Sequence, residues 1–220
     1  MHLPTDALPD DPLAQRARDR RRVKGAFLGS LAAVLLLSLI YLLQGSFDAA
    51  AWAVAPHSLA GLRGVLGAPL LHGSWDHLVS NAFALLLLGT LAGSVYPKAT
   101  VRAIPIAWVA SGLGAWWLGD VGTHHLGASG VVQGLAYLVV TLGLLRRDRA
   151  SMAAAMIALT FSGGMLVAVL PHDPGVSWQS HLGGAIGGVI SAVLFRHADP
   201  PAPRQRYSWE FEEEPPEAGD

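Results

Sequence analysis

Leu126-Gly127-Ala128-Ser129-Gly130-Val131-Val132-Gln133-Gly134 opens an apolar run that continues to Leu145. A serine at the mouth of a membrane helix ordinarily caps or packs. Here glycines on either side leave the hydroxyl uncovered, and His181 lies far downstream as a partner. Ser129 is read on that basis as a nucleophile, and the rest of the chain supplies the reasons.

The surrounding composition makes the run a membrane helix. The chain has 220 residues, 52% hydrophobic and only 14% charged, with a mean hydropathy of +0.40. Its charges gather at the two ends and in short connectors, the pattern of a polytopic all-α membrane protein. The net charge of -1 gives no reason to expect nucleic acid as a partner. There is no cysteine, which excludes disulfides, thiolate chemistry and cysteine metal sites. The N-terminal segment mixes acids and prolines with its basic run and lacks a cleavage site after a short apolar core, so a removable signal peptide is not expected.

Outward from Ser129, the apolar segments predict six spans, at about 26–43, 77–95, 101–118, 129–146, 152–170 and 180–195. Each is long enough to cross roughly 30 Å of hydrocarbon, the shorter ones with help from their flanks. Pro97 and Lys98 are expected to end the second. Residues 1–24 read as a polar basic tail, 25–196 as a six-helix domain, and 197–220 as a disordered proline-rich and acidic tail. Between spans one and two, Pro56, Gly61, Gly64, Gly67 and Pro69 break any long helix. With both ends inside, Arg63 is the one basic residue outside, and the other 14 of the 15 Lys and Arg fall on the inner side. That is the asymmetry of the positive-inside rule.

The same topology sorts the polar residues. Ser129, His181 and His77 each open a span at the outer face, and Asn81 lies one turn below His77 on the same helix face. Polar groups at such depth are costly and mark working sites. Gly130 and Gly134 form one G-x-x-x-G face, Gly184 and Gly188 another; small residues let helix backbones approach, which would bring Ser129 to His181. In that arrangement His181 is the candidate base. The Ser129 N–H at a helix start, the Asn81 amide and the His77 imidazole are candidate oxyanion donors. Asp173 could orient His181, but a turn role fits it better, so the expectation is a dyad.

These residues resemble the rhomboid intramembrane serine proteases. The likeness spans the six predicted helices and rests on Gly127-Ala128-Ser129-Gly130 (the family's G-x-S-G), His181 with its glycine-rich face, and His72-Gly73-Ser74-Trp75-Asp76-His77-Leu78-Val79-Ser80-Asn81, which has the family's H-x4-H-x3-N spacing. The resemblance implies Ser129 as nucleophile, His181 as general base, Asn81 and His77 as oxyanion stabilisers, and His72 as their support in the outer connector. It implies transmembrane proteins as substrates, cut near the outer end of their span in the lipid bilayer, with no metal and no small-molecule cofactor. A compact six-span form is similar to bacterial inner-membrane members, with cytoplasmic termini and an active site open to the outer face. Two departures stand out. The connector lacks the Trp-Arg pair common in the family, and Gln133 occupies the position four after the serine where an aromatic often stacks on the histidine.

Two other readings compete. The outer histidines (His57, His72, His77, His124, His125, His172 and His181) could handle a metal, but no H-E-x-x-H or His-x3-His pair is present. An inactive relative that binds membrane clients without cutting them would typically lack the serine or the histidine, and both are here.

Overall fold

The computed structural model describes residues 12–171 and 175–200, without the side chains of residues 12, 165 and 166. The elements are α1 (Pro12–Leu43), α2 (Gly64–Gly67), α3 (Trp75–Val95), α4 (Pro97–Leu118), α5 (Ser129–Arg146), α6 (Arg149–Val167) and α7 (Trp178–Phe195), with single 3-10 turns in the segment joining α1 to α3. Helices satisfy their own backbone hydrogen bonds, which is what a hydrocarbon surrounding demands. By length and composition, α1, α3, α4 and α5 can cross a membrane. The fold is all-α and the protein is an integral membrane protein. α6 and α7 have 19 and 18 residues; the polar first turn of α7, with Gln179, Ser180 and His181, dilutes its apolar character.

Two boundaries differ from the sequence reading. The basic segment, read as a polar tail, is helical from Pro12, and α1 carries Arg16 to Lys24 as its exposed first turns. The run Leu13-Ala14-Gln15-Arg16-Ala17-Arg18 is built of strong helix formers, and proline suits the first helical position. Pro97 does not merely end the second span. α3 stops at Val95, Tyr96 bridges the two helices, and Pro97 opens α4.

α5 is the central helix, buried along most of its length. Val132, Leu135, Leu138, Val139 and Leu142 meet Leu88, Ala92 and Tyr96 from the α3 side and Ala154 and Ala158 from α6 in one apolar core. α7 wedges between α4 and α5, while α1 packs chiefly on α3. The connector before α3 is an ordered plug. Trp116 Nε1 on α4 donates to Ser58 O at 2.8 Å, Trp108 Nε1 donates to Leu66 O at 3.2 Å, and Val54 pairs with His125 through two backbone bonds of 2.9 Å.

The opposite end of the bundle is stitched by charge. The Asp199 carboxylate accepts from Lys98 N at 3.1 Å and Ala99 N at 2.9 Å, capping α4 from beyond α7. Arg146 at the end of α5 donates to Asp199 O and to Asp148 Oδ2. Asp148 in turn caps α6 through Ser151 N at 3.0 Å. Burial opposes its ionisation, but the Ser151 bonds and the Arg146 guanidinium prevail and hold its carboxyl below the ordinary range.

Candidate active site

Ser129 is the first residue of α5, and the preceding Ala128, not the serine, occupies the cap position. The hydroxyl is therefore not engaged as a helix cap, and the side chain is half-buried at the wall of a cavity of about 850 Å3. His181, His77 and Asn81 line the same cavity. Three separate helices thus bring their first two turns to one place.

Gly127 shows why the chain turns so tightly here. Its φ of +119° is a conformation L side chains rarely adopt. A Cβ built on it would lie 2.5 Å from His77 Cε1 and 3.6 Å from Asn81 Nδ2. The backbone entering Ser129 consequently runs directly past the two α3 side chains. Gly127 N–H donates to Ala68 O at 2.8 Å, tying this turn to the connector.

The glycine faces meet as backbone on backbone. A Cβ on Gly134 would sit 2.9 Å from Gly184 O, and one on Gly130 would sit 2.8 Å from Ser180 O. Gly184 and Gly188 lie against the carbonyls of Gly130 and Gly134, where no side chain fits. A second face, Gly183 and Gly187, presses on α4: a Cβ on Gly187 would come 2.9 Å from Ala107 Cα. Its i, i+4 spacing was readable in the sequence, since it is offset by one residue from the first.

His181 is buried, and its Nδ1 lies 3.1 Å from Ala168 O, just past the end of α6. A carbonyl only accepts, so Nδ1 carries the proton and Nε2 the lone pair of the neutral ring. That tautomer is the one a general base would require, and the Ala168 carbonyl favours it. Asp173 lies outside the described residues, as does His172. Asn81 is 4% exposed and its Nδ2 has no hydrogen-bond partner. A buried unpaired donor is uncommon and costly, and this one borders a cavity. Gln133 is fully buried in α5, one turn below Ser129.

His72 is fully buried and touches His77 edge-on, with ring centroids 5.2 Å apart. Burial, then the neighbouring His77, lowers its pKa from 6.5 to about 4. Gln44 at the end of α1 grips its backbone, donating to His72 O at 2.9 Å and accepting from His72 N at 3.1 Å.

One cluster escaped the sequence reading, in which His125 figures only among the outer histidines. Its Nδ1 lies 2.6 Å from Ser177 Oγ and its Nε2 3.0 Å from Thr123 Oγ1. Ser177 caps α7 and donates to Ser180 Oγ at 2.9 Å. The loop that delivers Ser129 and the helix that delivers His181 are thereby tied by one imidazole, and no local motif signals that pairing across 52 residues. Burial lowers the His125 pKa. Among the described residues, no group of three or more His, Asp or Glu could hold a metal ion.

The comparisons with known proteins agree with this architecture. The Rhomboid domain family matches residues 60–198. Uncharacterised proteins of Mycobacterium tuberculosis and Mycobacterium bovis are each 37% identical over 197 residues, covering 84% of this chain and 81% of theirs. An uncharacterised protein of Mycobacterium leprae is 36% identical over 141 residues, covering 60% of this chain and 56% of its own. The match takes in α3 to α7, the glycine-packed helices and every side chain lining the cavity, and the chain belongs to the rhomboid family.

Proposed function

We propose that the protein is an intramembrane serine endopeptidase that cleaves transmembrane segments of other membrane proteins by a Ser129–His181 dyad. The observation that carries this reading is one cavity lined by Ser129, by His181 with its Nδ1 proton committed to Ala168 O, and by the unpartnered Asn81 amide. His181 Nε2 takes the Ser129 hydroxyl proton as Oγ attacks the scissile carbonyl carbon. The resulting oxyanion is met by the Ser129 N–H at the helix start, by Asn81 Nδ2 and by His77. Collapse expels the amine, which takes the proton from His181. Water then repeats the sequence on the acyl-enzyme and regenerates Ser129. No cofactor is required.

In this reading all six long helices span the bilayer, and both termini are cytoplasmic in a bacterial inner membrane. The cavity opens at the outer face, where the basic residues are fewest. Substrates are single transmembrane helices that unwind near that face. His72 supports the His77 ring, and Gln133 fills the place behind the base. The test is labelling of detergent-purified protein with a fluorophosphonate probe, followed by cleavage of a transmembrane substrate in liposomes. Labelling and cleavage that disappear in Ser129→Ala are expected. Undiminished labelling or cleavage in Ser129→Ala removes the dyad, and a wild type silent in both assays leaves a client-binding protein instead.

A further inference from the structure

α1 leans on α3 and leaves a groove of about 400 Å3 toward α4, at the end of the bundle away from Ser129. The volume falls within the range of small-molecule sites, about 300–1,000 Å3. Its walls are apolar or small, including Gly29 and Ala33 on α1 and Ile104 on α4. A Cβ on Gly29 would meet nothing within 4 Å, so the groove is open space on the α1 side. Besides Ser30, polar groups at two places break its apolar character. Arg21 and Arg22 stand exposed at one end. Thr100, one turn into α4, is 5% exposed and lines the groove, and its hydroxyl has no hydrogen-bond partner. Buried hydroxyls are nearly always paired, and a threonine in a helix has the carbonyl four residues back at hand. One left unpaired beside an open groove points to an acceptor from elsewhere.

We propose that this groove binds one anionic glycerophospholipid. The phosphate pairs with Arg21 and Arg22, the Thr100 hydroxyl donates to an ester carbonyl, and an acyl chain lies along the Gly29–Ala33 face of α1. The three elements occur in the order that the lipid's own chemistry has, from charge through ester to hydrocarbon. A bare phosphate would use the arginines and have no need of the apolar groove. A zwitterionic lipid would use the groove, but its choline cation would offset the attraction to the arginines.

Native mass spectrometry of the full-length protein in detergent tests this, with phosphatidylglycerol and phosphatidylcholine offered at equal concentration. Wild type is expected to retain one phosphatidylglycerol at least about tenfold better than phosphatidylcholine. Arg21→Gln with Arg22→Gln should bring the two lipids to parity. Thr100→Val should weaken phosphatidylglycerol about two- to tenfold, the range of one hydrogen bond. Gly29→Leu, whose Cβ enters open space, projects into the groove and should abolish retention of both lipids while the thermal unfolding midpoint holds. Equal retention of the two lipids by wild type, undiminished phosphatidylglycerol in Gly29→Leu, or its displacement by millimolar inorganic phosphate would each overturn the proposal.

Discussion

α7 and α1 meet their neighbours in opposite ways. α7 touches α4 and α5 through glycines on two faces, so closely that an added methyl would strike main chain on either side. α1 meets α3 through side chains, its Ser30 and Ala26 seated on Gly89 and Gly93, while its own Gly25 and Gly29 face open space. The difference separates two tasks. A helix held by backbone contact cannot slide or rotate by a fraction of a side chain, and α7 carries His181, the proposed base, whose reach to Ser129 would admit little error. A helix that serves mainly as a wall tolerates looser packing, and α1 supports the site from behind, with Leu37 in one cluster with Leu78 and Ala128 and with Gln44, just past its end, gripping His72.

The largest expected effect acts at the centre of the tight region. Ser129→Ala and His181→Ala should each lower cleavage in liposomes by more than about 10³-fold, with unchanged thermal unfolding in detergent. Turnover within about 10³-fold of wild type by either variant would break the dyad.

Gly184→Val puts two methyls against the Gly130 carbonyl; overpacking of this kind costs about 1–3 kcal/mol. Both activity and the unfolding midpoint should fall. Gly25→Ala on α1 is the contrast, and there the gain in helix propensity, up to about 1 kcal/mol, should leave stability equal or higher. If both substitutions behaved alike, the distinction between the two helices would collapse.

Asn81→Ala removes the unpaired donor and should lower kcat by about 10²–10³-fold with little change in KM. An effect confined to KM would assign Asn81 to substrate binding.

His125→Ala is expected to reduce kcat by about tenfold by loosening α7, and Ser177→Ala to do the same. The double variant should lose less than the sum of the two singles, since both remove the shared His125–Ser177 bond. Additive losses would mean that the two side chains act separately.

The smallest effect is acidic. His72 has a folded pKa of about 4 against 6.5 unfolded, so the unfolded chain binds the proton first. Stability is therefore full above pH 6.5 and falls as pH drops toward 4, by up to about 3 kcal/mol. Unfolding midpoints of His72→Gln and wild type, compared at pH 7.5 and 4.5, should show a smaller acid loss in the variant.

Much of the site was legible because its chemistry is written in short spacings. The i, i+4 pairs His77/Asn81, Gly130/Gly134 and Gly184/Gly188 each sit within one helix, where periodicity converts sequence into direction. The extended start of α1 was missed because a run of arginines reads as solvated charge although the same residues favour helix. The His125–Ser177 bond and the Ala168 carbonyl facing His181 were not legible at all. Both join residues of different helices and loops, and the second uses a backbone atom that every residue type possesses.

Asp199 has a consequence for the order in which the protein matures. Its carboxylate supplies the acceptors for the first amides of α4, yet a hundred residues separate it from Lys98 and Ala99. During synthesis α4 emerges and must wait with those amides uncapped. Only after α7 has been translated can the cap arrive, and with it the Arg146 bond that closes α5. The last of the described helices thus fastens one made well before it, and a chain released before residue 199 would hold the described long helices without the clasp that locks their ends.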